Sequence, residues 1–116
     1  MASIIDPVLA KSLIKEFRQH NSSAGGPALK TSEGHFLNGF FIDRESLENI
    51  LKDPKNVGIH IHLAKHPDFA GKPDNVHTIT FVGSQLNTAP GAATPYVSSG
   101  DIYEFAAPCP PVCTDL

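Results

Sequence analysis

The chain has 116 residues and a formal net charge of -3, with 41% hydrophobic and 18% charged residues. This length and composition suit one globular domain that can bury a sufficient core without needing disulfides or metal ions for stability. The acidic balance argues against a nucleic-acid surface, and no apolar run is long enough to span a bilayer. Because a basic region followed by an apolar stretch is absent from the N-terminus, we expect a cytoplasmic protein without a secretory signal.

The first predicted element is a helix near residues 7–20. Asp6 offers a capping oxygen, and Pro7 suits the first helical position. An apolar stripe at every fourth position consists of Ile5, Leu9, Leu13 and Phe17. A basic cluster on another side consists of Lys11, Lys15 and Arg18. An acidic partner or an anionic membrane could meet this cluster, but we interpret it as a solvated outer face.

Residues 21–35 are predicted to form a flexible connector, because small and turn-prone residues surround Gly25-Gly26-Pro27. A phosphate-binding loop is rejected here. The segment lacks the Gly-Lys-Ser/Thr ending of such loops, and no strong strand precedes it.

A strand, a helix and a strand are predicted in succession over residues 36–63. Apolar residues on both faces of 36–42 indicate a covered strand, and Asp43 caps a helix near 44–53. Alternation of Ile59 and Ile61 with His60 and His62 indicates a half-buried strand over 57–63. The connection between the strands is long enough for a right-handed parallel crossover.

A further strand over 76–83 is predicted to fold back on 57–63 as a hairpin. Matching the apolar faces pairs Ile59 and Ile61 with Phe81 and Ile79. This register sets the two histidines against threonines, His60 opposite Thr80 and His62 opposite Thr78. It predicts one polar patch on a sheet face, with His77 on the other face.

The remaining segments are a long loop, a last strand and a tail. Residues 84–100 read as a loop and 102–107 as a strand with Tyr103 and Phe105 on one face. Three prolines in 108–116 exclude a helix or an internal strand and predict an extended, ordered tail. We expect Cys109 and Cys113 to be thiols in a reducing cytoplasm, although the residues alone leave a disulfide or metal ligation open.

Together these elements predict an α+β fold in one domain over 1–116. Its parts are a helix at 1–20, a connector at 21–35, a core at 36–107 and a tail at 108–116. A mixed sheet of about four strands packs with two principal helices and contains a β-α-β unit. The residues predicted to be buried are Phe40, Phe41, Ile42, Leu47, Ile50, Leu51, Ile59, Ile61, Ile79 and Phe81.

The segments GFFIDRESLENIL and GIHIHL, a strand containing Val-Gly, and the terminal CPPVC occur in this order. This combination resembles a group of small uncharacterised bacterial proteins, over about residues 39–113. The resemblance implies a shared domain. It implies no catalytic residues, because that group has no assigned activity and no fixed histidines.

Metal binding is one candidate chemistry. His60 and His62 present two imidazoles from one strand face, and Cys109 and Cys113 could supply thiolates to complete a zinc site. However, a spacing of three residues between the cysteines is not the usual zinc-knuckle spacing. It also differs from the Cys-x-x-Cys motif of thiol redox enzymes.

Acid–base catalysis of a hydrolase type is the other enzymatic candidate. The available bases and acids are His60, His62, His66, His77, Asp43, Asp68 and Asp74. No catalytic signature organises these residues. We therefore predict a non-enzymatic binding or self-assembly module, without a cofactor, that joins a protein partner or another copy through an edge strand or the tail.

Overall fold

The computed structural model describes residues 2–104 and 106–116. Two α-helices, five strands and one 3-10 turn follow one another in these ranges. In chain order they are α1 (Pro7–Ser22), β1 (Gly39–Phe41), α2 (Arg44–Leu51), β2 (Gly58–Lys65), the turn Pro67–Phe69, β3 (His77–Leu86), β4 (Tyr96–Tyr103) and β5 (Ala107–Cys109). The predicted α+β class with two principal helices is confirmed.

The strands form two antiparallel sheets. One holds β1 and β5, and the other has the order β2-β3-β4. The sequence had indicated one mixed sheet with a parallel crossover from β1 to β2, which the topology corrects. The physical reason is that β1 is only three residues long and takes β5 as its partner, with Phe40 opposite Pro108. The chain passing through α2 therefore enters a different sheet.

The core lies between α2 and one face of the three-stranded sheet. Ile50 of α2 meets Ile79 and Phe81 of β3, together with Ala106. Phe81 is completely buried, and its ring stacks on Tyr103 at 5.5 Å between centroids. Four partly buried side chains surround this cluster, namely Phe40, Ile42, Ile59 and Tyr103. Burial of this apolar surface is the main stabilising contribution to the fold.

Three residues predicted to be buried are exposed. Phe41 is 47% exposed, and Leu51 and Ile61 are similarly open. The prediction of a doubly covered central strand at 36–42 was therefore wrong. β1 belongs to a sheet of only two strands, and its last residue, Phe41, faces solvent. Ile61 of β2 is exposed as well, whereas its neighbour Ile59 packs against the core cluster.

The segment 84–100 was predicted as one long loop, but strands enter it from both sides. β3 continues to Leu86 and β4 starts at Tyr96, and they pair as an antiparallel hairpin. An Asn87 N–H donates to the Pro95 carbonyl and closes the remaining loop at 2.9 Å. The predicted strand 102–107 is divided between β4 and β5. The prediction for Phe105 lies outside the described residues.

Hydrogen bonds attach the segment after α1 to the domain. The fully buried Asn21 donates to the carbonyls of Leu29 and Leu37 at 3.1 and 3.2 Å, and its oxygen accepts from the Leu29 N–H at 2.7 Å. The backbone of Lys30 forms isolated β-bridges with Phe36 and Val76. The segment predicted as a flexible connector is therefore held to the rest of the domain by backbone pairing and by the hydrogen bonds of a buried polar side chain.

Within the described ranges, no helix is both long enough and apolar enough to cross a membrane.

Candidate functional site

β2 forms an outer edge of the three-stranded sheet, and β3 is its strand neighbour. The His66 N–H donates to the Val76 carbonyl at 2.9 Å, just beyond the end of the ladder. Backbone groups alternate in direction along an antiparallel strand, so the even residues of β2 bond to β3. The N–H and C=O groups of Ile59, Ile61 and Leu63 consequently point to the open edge.

The hairpin of β2 and β3 is antiparallel, as predicted, but its register differs by two residues. His60 lies opposite Val82, His62 opposite Thr80, and Ile61 opposite Phe81. A shift by two keeps each side chain on its predicted face, whereas a shift by one would reverse the faces. His77 accordingly lies on the other face from His60 and His62, opposite Lys65.

The face of the sheet away from the core carries the two histidines of β2. Their rings stack, with centroids 4.2 Å apart and planes inclined by 29°. They border a groove of about 450 Å³ that is also lined by Val82, Ser84 and residues 94–98. Both histidines are exposed to solvent. Their ring nitrogens are thus available to a ligand.

The predicted polar patch of His60, His62, Thr78 and Thr80 is only partly formed. His62 and Thr80 are directly opposed, but Thr78 lies opposite Ala64. Thr78 is buried, and its hydroxyl donates to the Glu104 carbonyl at 3.5 Å. Val82 takes the place beside His60 that the predicted register gave to Thr80. The face is therefore less polar than expected.

The core-side face of β2 is apolar from Ile59 to Leu63. Leu63 is 86% exposed and Ile61 is 50% exposed, although their cross-strand partners Ile79 and Phe81 are buried. The apolar surface thus continues from the core to the open edge. Such a contiguous apolar surface beside unpaired backbone groups is typical of an interaction site.

The tail lies on the other sheet. Cys109 and Cys113 form a disulfide with Cα atoms 4.9 Å apart, so the expectation of free thiols was wrong. The buried Cys109 ends β5, and its carbonyl accepts from the Asn38 N–H at 2.7 Å. A disulfide offers no thiolate, so these cysteines are not available beside His60 and His62 as zinc ligands.

The other candidate acids and bases have structural surroundings. Asp43 caps α2, its oxygens accepting from the Ser46 hydroxyl and N–H at 2.6 and 3.0 Å. Those bonds lower the pKa of the Asp43 carboxyl. The His66 ring accepts from the Asp68 N–H at 3.2 Å, and Lys65 bonds the Asp74 carbonyl. These side chains therefore have structural roles, in capping a helix and in stabilising turns.

One feature that the sequence did not indicate is a cavity of about 70 Å³ near β5. Its lining includes His66, His77 and Glu104, and the buried Nδ1 of His77 has no hydrogen-bond partner among the described residues. No sequence motif could indicate this cavity, because its lining residues come from three separate segments of the chain. Among residues 2–104 and 106–116, no three His, Cys, Asp or Glu side chains are grouped to hold a metal ion.

The predicted apolar stripe of α1 is largely exposed. Its members Leu9, Leu13 and Phe17 are exposed to solvent. The basic side of the helix and residues 114–116 of the tail together line a shallow cavity of about 330 Å³. The helix itself begins as predicted, with the Val8 N–H donating to the Asp6 side chain at 3.3 Å. α1 is therefore a second open surface.

No family model, curated protein or solved structure matches this chain.

Proposed function

We propose that this protein is a non-enzymatic binding module that joins protein chains, another copy of itself first among them, by strand addition at the edge of β2. One observation supports this proposal: the eight-residue edge strand β2 has both outward-pointing backbone groups and the exposed side chains of Ile61 and Leu63. A partner strand would form hydrogen bonds with the backbone groups and cover the two side chains.

Apart from Lys65 at its C-terminal end, β2 lacks the features that usually protect a sheet edge. From Gly58 to Ala64 it has no proline and no charged residue, and its pairing with β3 is regular throughout. Natural edges are normally blocked by charges, prolines or bulges. The opposite edge shows such protection, since β4 carries Asp101 and a left-handed Gly100 next to a register shift. The contrast favours β2 as the edge that pairs.

The overall dimensions also support association. The radius of gyration is 16.5 Å, whereas a compact chain of this length has a radius of about 13 Å. The radius of gyration is larger because elements such as α1 project from the core with exposed apolar side chains. A module that acts alone has no need of so much exposed apolar surface.

A cytoplasmic location stays a prediction, and the Cys109–Cys113 disulfide favours an oxidising compartment instead. A test of location is to measure the free thiol content of the protein in cell extracts prepared under acid quench. One disulfide per chain in those extracts would place the protein outside the reducing cytosol.

The proposed function is tested by sedimentation of the purified chain and of the Leu63→Lys variant. Leu63 is almost wholly exposed, so its replacement leaves the monomer folded while placing a charge on the edge. The matched control is Ile102→Lys, which puts the same charge on the exposed part of β4. We expect the wild type and the control to associate and Leu63→Lys to remain monomeric. Equal association of all three proteins would contradict the proposal.

A further inference from the structure

We propose that two copies pair through β2 and that His60 and His62 of both copies form a four-imidazole site for a divalent metal of the zinc class. This inference rests on the proposed function and specifies the partner, the register and the ligand. One chain supplies two of the four ligands, so the site is incomplete without the second copy.

The pairing register follows from the backbone directions of β2. An added antiparallel strand bonds to the outward groups of Ile59, Ile61 and Leu63, which requires odd residues to lie opposite odd residues. With a two-fold axis at Ile61, Ile61 lies opposite Ile61 of the second copy and Ile59 opposite its Leu63. The exposed apolar side chains of the two core-side faces then cover one another.

Charge distinguishes this register from its neighbours. The charged residue of β2 is Lys65, which in the symmetric register lies opposite Val57 of the second copy, a residue outside the strand. Shifting the axis by one residue toward the C-terminus would place Lys65 against Ile59 instead. Shifting it by one residue toward the N-terminus would leave His62 opposite Gly58. The register with its axis at Ile61 thus keeps Lys65 away from the apolar residues of β2 itself and matches every histidine with a histidine.

The same register gathers the imidazoles on the outer face. His60 lies opposite His62 of the second copy in a pair without mutual backbone bonds, where Cα atoms are about 4.5 Å apart. Within one chain the two rings already lean together at 4.2 Å. Four rings therefore border one point above the two-fold axis. Neutral imidazole nitrogen is a preferred ligand of zinc, and structural zinc sites have four ligands.

Interface size gives an independent reason for a metal. A stable protein interface uses about 20–30 residues on each side, whereas β2 contributes eight. Strand pairing alone is therefore weak, and coordination of one ion by both chains would supply the missing affinity. Binding to the dimer but not to the monomer drives association by mass action. The metal would thus act as the switch for assembly.

The experiment is sedimentation and calorimetric titration of the full chain with Zn²⁺ as the only added ligand. We expect metal-free protein to associate weakly, to become fully dimeric when half an equivalent of Zn²⁺ per chain is added, and to return to weak association with a chelator. The His60→Gln/His62→Gln variant should lose this response. The His20→Gln/His35→Gln variant, which alters two exposed histidines elsewhere, should retain it. Circular dichroism verifies that each variant is folded.

Each other outcome is decisive. Zinc bound by a single chain without dimerisation overturns the inference. An association that Leu63→Lys abolishes but that neither zinc nor the histidine substitutions affect overturns the metal site and leaves the proposed function standing. Absence of association with and without zinc overturns both.

Discussion

The side chain of Asn21 is buried at the end of a helix that is otherwise exposed. It satisfies one donor and two acceptors of the segment 29–37. Replacing Asn21 with Ala would leave the Leu29 N–H and the Leu37 carbonyl without this partner, whereas the Leu29 carbonyl keeps its bond from the Leu37 N–H. We therefore expect a loss of about 2–4 kcal/mol in the free energy of unfolding. Urea denaturation measures it, with the exposed Ser22→Ala as control. A loss equal to that of the control would show that water replaces the amide.

Gly83 is needed because the Asn56 side chain lies against its Cα. A Cβ at this position would collide with the Asn56 amide, which donates to the Ile50 carbonyl at 2.7 Å at the end of α2. We expect Gly83→Ala to displace that amide and to cost about 1–3 kcal/mol. Thermal unfolding tests this, with Gly58→Ala, where a Cβ has free space, as control. Stability equal to that of the control would mean that Asn56 moves at no cost.

At the scale of single elements, the start of α2 depends on pH through Asp43. Its pKa is lowered in the folded protein by bonds from Ser46. A depressed carboxyl pKa stabilises the fold above the ordinary aspartate pKa, and this contribution disappears as the pH falls through the folded value. We expect Asp43→Asn to flatten the acid limb of stability against pH, while Ser46→Ala raises the Asp43 pKa in an NMR titration. An unchanged acid limb in Asp43→Asn would exclude the cap as its source.

The tail is the partner of β1. β5 pairs with it, and the disulfide closes a ring of five residues directly after the pairing. We expect Cys109→Ser/Cys113→Ser to lower stability by about 2 kcal/mol, because the unfolded chain regains the entropy that closing this short ring removes. Deleting 108–116 should lower the melting temperature further, because β1 loses its strand. Deleting 114–116 alone is the control, and equal effects of the two deletions would contradict this role.

How far the sequence predicts these elements depends on how local their determinants are. Both helices were predictable because Asp6 and Asp43 cap them from the adjacent residue. The histidine face was predictable because alternation along β2 fixes it for any even register shift. The pairing of β1 with β5 was not, because its partner is distant in the chain and carries no charge or turn signal. The disulfide was not, because the pattern fits thiols equally well.

At the scale of the whole molecule, self-association through β2 makes apparent stability depend on concentration. A dimer that exists only in the folded state raises the melting temperature as the chain concentration rises. We therefore expect the melting temperature of the wild type to increase with concentration, and more steeply in the presence of Zn²⁺. Leu63→Lys removes the pairing surface without touching the core residues Phe81 and Ile79, so its melting temperature should be independent of concentration. Differential scanning calorimetry over a hundredfold range of concentration distinguishes the two proteins. A melting temperature of the wild type that is independent of concentration, with and without Zn²⁺, would contradict self-association through β2.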